Sequence, residues 1–161
     1  MLLAYFGTLL VCFLGLIIGI IISYMAEEEL RPGSSYFLLL KRMLVLIIAA
    51  TLVHQYQTSI YFILGILLWL MICQLFIRRD SLIYGLFGLV FFLSYGSSAA
   101  FIITSLIIFF YGLPTASMIA EESARKGRLG WLSQIKKTLL AGVPFLAVSA
   151  LLYLTKYIIK P

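Results

Sequence analysis

Four stretches of the chain carry no Asp, Glu, Lys or Arg: residues 1–26, 43–77, 81–120 and 138–155, of 26, 35, 40 and 18 residues. One membrane span needs about 20 apolar residues. A single 35-residue helix would be about 52 Å long, against a hydrocarbon core of about 30 Å. Each of the two longer stretches is therefore expected to fold back once. Polar breaks stand where the reversals are needed, at His54-Gln55-Tyr56-Gln57-Thr58-Ser59 and at Gly96-Ser97-Ser98.

The fold class that follows is all-α: a polytopic integral membrane protein with six transmembrane helices arranged as three helical hairpins. The expected spans are 2–25, 37–54, 59–77, 82–95, 99–120 and 138–157, in a single membrane domain over 1–161. Composition agrees. Of the 161 residues, 63% are apolar and 11% charged, with a mean hydropathy of +1.12. A soluble domain runs at about 45–50% apolar and about 25% charged, and a chain this short has too little interior to hide the excess. A soluble enzyme, a disordered tail and a disulfide scaffold are excluded. Met1 to Met25 lacks a positive n-region and is expected to be a retained first span. Cys12 and Cys73 fall inside spans, where a free thiol acts as a small apolar group.

Alternating the connections separates the charges. Ten cations (Arg31, Lys41, Arg42, Arg78, Arg79, Arg125, Lys126, Arg128, Lys136 and Lys137) fall on one side and two, Lys156 and Lys160, on the other. The positive-inside rule then places the protein in the cell membrane with both termini on the non-cytoplasmic side. The connection Ser123 to Lys137 interleaves basic residues with Leu129, Trp131, Leu132 and Ile135. Arg125, Lys126, Arg128, Trp131, Lys136 and Lys137 are its expected contacts with anionic lipid headgroups or a protein partner, on a short helix in the headgroup layer. The net charge of +6 is read as topology and lipid contact, with no nucleic-acid partner. A membrane-protein partner or a second copy is the other expected contact.

Shifted by 94 residues, Ser23-Tyr-Met-Ala-Glu-Glu-Glu-Leu-Arg-Pro-Gly33 overlies Ser117-Met-Ile-Ala-Glu-Glu-Ser-Ala-Arg-Lys-Gly127 with six of eleven positions identical. Each segment ends an odd-numbered span. Helix-end chemistry alone accounts for much of it: Glu27 to Arg31 and Glu121 to Arg125 are i,i+4 pairs in the favourable order. Gly33, Gly127 and Pro32 read as stop residues. The sharper reading brings Glu27, Glu28, Asp80, Glu121 and Glu122 together at the cytoplasmic mouth as oxygen ligands for a divalent cation such as Mg.

Inside the spans no residue is ionisable at depth apart from His54 near the outer end of the second, which argues against a proton relay, and Lys41 and Arg42 lie close enough to the inner edge to snorkel. Gly15-x-x-x-Gly19 invites close helix packing. Pro114 breaks the fifth span among hydroxyls, and Tyr111, Pro114, Thr115 and Ser117 form a candidate substrate pathway.

Two functions remain. The favoured one is non-enzymatic, with no cofactor: a small transporter- or channel-like bundle, or a membrane subunit docking partners and anionic lipid. The alternative is an enzyme acting at the cytoplasmic interface on a phosphate-bearing lipid or prenyl substrate, with a carboxylate-bound metal.

Overall fold

The computed structural model describes residues 2–56, 80–125 and 131–159. They form five helices: α1 (Leu2–Met25), α2 (Leu30–Tyr56), α3 (Asp80–Ser94), α4 (Ser98–Arg125) and α5 (Trp131–Ile159), with a 3-10 turn at Glu27–Glu29 between the first two. No strand occurs among the described residues. In a chain this apolar, helix is the form in which each segment satisfies its own backbone. Four helices are long and apolar enough to cross a membrane: Leu2–Met25, Glu27–Gln55, Ser98–Ser123 and Leu132–Lys156.

The first span is a helix with the expected ends, but the turn after it is built differently. Ala26 leaves helical geometry at φ −122° and ψ 45°, and its N–H still donates to the Ile22 carbonyl at 3.0 Å. The chain then resets through Glu27–Glu29 and starts α2 at Leu30. Pro32 and Gly33 do not stop a helix. Pro32 lies in the first turn of α2, where a missing N–H costs nothing because no carbonyl waits for it. Glu27 and Arg31 thus sit in different elements, and the i,i+4 pairing expected there is not formed within one helix.

The third expected span, 59–77, lies outside the described residues. The fourth is α3, whose described part runs from Asp80 to Ser94. α5 starts at Trp131, so Leu132, Ile135, Lys136 and Lys137 belong to its opening turns. They do not form a separate helix in the headgroup layer.

α4 is the hub, packed against every other helix. α1 runs parallel to it through a seam of small residues. A Cβ added at Gly112 would fall 2.6 Å from the Gly15 carbonyl carbon and the Leu16 nitrogen, and one at Gly19 would lie 2.9 Å from Leu113 Cα. Cys12 Sγ donates to the Ser105 carbonyl at 3.3 Å, and Ser23 Oγ to Ser117 Oγ at 3.0 Å. α3 and α5 are likewise parallel: Ser149 Oγ donates to the Gly88 carbonyl at 3.2 Å.

Near Leu2 an aromatic cluster ties the halves together. Tyr5 stacks on Tyr153 with centroids 4.2 Å apart and meets Tyr95 edge-on at 5.1 Å. Its hydroxyl donates to the Ser149 carbonyl at 3.2 Å. The first and last described helices therefore have their outer ends, Leu2 and Ile159, at the same end of the bundle.

Candidate functional site

The residue that departs most from its sequence environment is Lys41. On α2 it shares a face with Leu44, Val45 and Ile48, at the i+3, i+4 and i+7 positions of a helical stripe, and all four are buried against the bundle. Its neighbour Arg42 is exposed. Lys41 does not snorkel: its Nζ meets Asp80 Oδ1 at 2.5 Å, with the Lys41 side chain 9% exposed and that of Asp80 26%. Asp80 is the first described residue of α3.

An aromatic floor completes the arrangement. The Lys41 ammonium lies 5.2 Å from the Tyr111 ring centroid. Tyr84, one turn after Asp80, meets that ring edge-on at 5.7 Å, and Phe87 meets it at 4.7 Å. Tyr84 is 2% exposed, and its hydroxyl lies beside Thr115.

The pair is deep. Tyr111 stands thirteen residues from Ser98 and fourteen from Arg125 on α4, about 20 Å from either end. The sequence offered no acid at that depth because Asp80 follows Arg78-Arg79 and looks like part of a turn. In the fold it meets Lys41 beside Tyr111, halfway along α4.

The carboxylates expected to converge are distributed along the bundle. Glu27 and Glu28 are exposed on the 3-10 turn. Glu121 is buried in α4 and Glu122 exposed beside it. Both pairs belong to the end of the bundle away from Leu2, whereas Asp80 is held by Lys41 beside mid-helix Tyr111. Among the described residues no group of three His, Cys, Asp or Glu side chains is placed to hold a metal ion.

The expected pathway residues are buried in the helix packing. Tyr111 is 1% exposed and Thr115 fully buried. Thr115 Oγ1 donates to the Tyr111 carbonyl at 2.9 Å, and Ser117 Oγ to the Leu113 carbonyl at 3.1 Å. These hydroxyls bond within α4 around Pro114, and Ser117 also accepts from Ser23. Of the basic contacts, Lys136 is exposed and Lys137 Nζ donates to Ser123 Oγ at 3.4 Å. Arg125 and Trp131 are placed only as the last residue of α4 and the first of α5. Lys126 and Arg128 lie outside the described residues.

No family model, curated protein or solved structure matches the chain. The site must be read from its own chemistry.

Proposed function

We propose that the chain is a non-enzymatic, six-span membrane protein of transporter- or channel-like kind, with the Lys41–Asp80 pair as its working element. Its spans form three hairpins, with both termini on the non-cytoplasmic side and the basic end, including Lys136 and Lys137, on anionic lipid.

One observation carries the reading: a charge pair beside Tyr111, halfway along α4. Burying charge in hydrocarbon costs several kcal/mol, so ionisable groups kept at depth in membrane proteins usually serve transport or signalling. The small-residue seam between α1 and α4 supplies a close-packed frame beside the pair.

The test is cation flux in proteoliposomes under an imposed gradient, for wild type and Asp80→Asn. Flux above empty vesicles that Asp80→Asn abolishes supports the proposal. Wild-type vesicles as tight as empty ones, with the protein folded and inserted, overturn it.

A further inference from the structure

The groups around the Lys41 ammonium make up a recognition site for an ammonium ion. A carboxylate supplies the counter-charge (Asp80 Oδ1) and the face of Tyr111 supplies cation–π attraction. Tyr84 and Phe87 hold the Tyr111 ring edge-on. The Tyr84 hydroxyl, beside Thr115, is buried on the same helix one turn from Asp80. The Asp80 side chain keeps a quarter of its surface exposed, which leaves a way in.

We infer that the part-buried Asp80 carboxylate and the face of Tyr111 form a binding site for small primary ammonium cations, and that Lys41 is its built-in occupant, displaced when a free cation enters. Guanidinium and quaternary ammonium ions fit less well. The bond to Asp80 is a short N–H···O contact, which a quaternary ion lacks and a planar guanidinium makes only with a broader footprint. The cargo assignment rests on the transport reading above; the binding site itself does not.

Lys41→Ala removes three methylenes and the nitrogen, which together correspond to propylammonium. The experiment is thermal unfolding of detergent-purified Lys41→Ala with added propylammonium, with propanol and sodium chloride as controls. The expected result is a lowered Tm that climbs with the logarithm of propylammonium concentration, while neither control raises it. The climb disappears in Lys41→Ala/Asp80→Asn and weakens in Lys41→Ala/Tyr111→Leu. An equal rise with propanol, which would mark simple cavity filling, overturns the proposal. So does a rise that survives Asp80→Asn, or folded Lys41→Ala that does not respond, as a site holding only water would behave.

Should Lys41→Ala fail to fold unaided, its recovery in buffers containing propylammonium becomes the readout. Recovery with propylammonium but not propanol supports the site, and recovery with neither overturns it. Labelled methylammonium uptake into wild-type vesicles separates the two proposals. Rescue without uptake supports the site and overturns the assignment of ammonium as cargo.

Discussion

Ser23 and Ser117 donate and accept one hydrogen bond, at 3.0 Å, and they are the two serines that the 94-residue echo superposes. The offset that aligns the sequences is also the register in which α1 and α4 lie side by side. Gly15 against Phe109 and Gly19 against Leu113 keep that same offset. Contacts between equivalent positions arise when two parallel helices pack about a local two-fold axis. The seam between α1 and α4 has that form, like a parallel small-xxx-small dimer contained in one chain.

That register predicts a cross-link. In a background with Cys12 and Cys73 replaced, Ser23→Cys/Ser117→Cys oxidises to an intramolecular disulfide, because the side chains already meet at bonding distance. Ser23→Cys/Thr104→Cys does not, since Thr104 lies more than three turns away along α4. Gel mobility before and after reduction reads the result. Equal cross-linking of both pairs would mean the seam is misplaced.

Close approach at the seam predicts a steep dependence on side-chain size. Gly112→Ala places a Cβ 2.6 Å from the Gly15 and Leu16 backbone, and overpacking of this kind costs about 1–3 kcal/mol. Gly7→Ala, with nothing within 4 Å, is neutral or mildly stabilising, since alanine also has the higher helix propensity. Thermal unfolding in detergent compares the two, and equal Tm values would remove the seam from the account.

Tyr5 predicts two separable losses. Tyr5→Phe keeps the stack on Tyr153 and gives up the bond to the Ser149 carbonyl, for about 0.5–1.5 kcal/mol. Tyr5→Ala also empties a fully buried site, for about 3–5 kcal/mol in all. Tm values for the pair should fall in that order, and a Tyr5→Ala protein as stable as Tyr5→Phe would place the ring outside the core.

Sequence reading reached the elements that charge punctuates. α1 is bounded by the first acidic cluster, and its helix has the expected ends. The echo was visible too, and proves to be a packing register. The Lys41–Asp80 pair was hidden for a physical reason. α2 is apolar on nearly every side, so its buried stripe has no polar contrast, and adjacent Lys41 and Arg42 look alike until one is seen to face inward. Asp80 lies 39 residues away in sequence, behind two arginines, with no local pattern to mark it as interior. Pro32 misled because proline closes a helix or opens one, and which it does depends on where the preceding turn falls.

The most direct test of the central claim is a double-mutant cycle on the pair, read as unfolding free energy in detergent. Asp80→Asn strands the buried Lys41 ammonium, a loss of up to about 3–5 kcal/mol, and Lys41→Met strands the part-buried Asp80 carboxylate, a smaller loss. The account predicts that Lys41→Met/Asp80→Asn is more stable than at least one of the single variants, because no unpaired charge is left inside. Strict additivity of the two losses would contradict it, showing that Lys41 and Asp80 do not meet within the bundle.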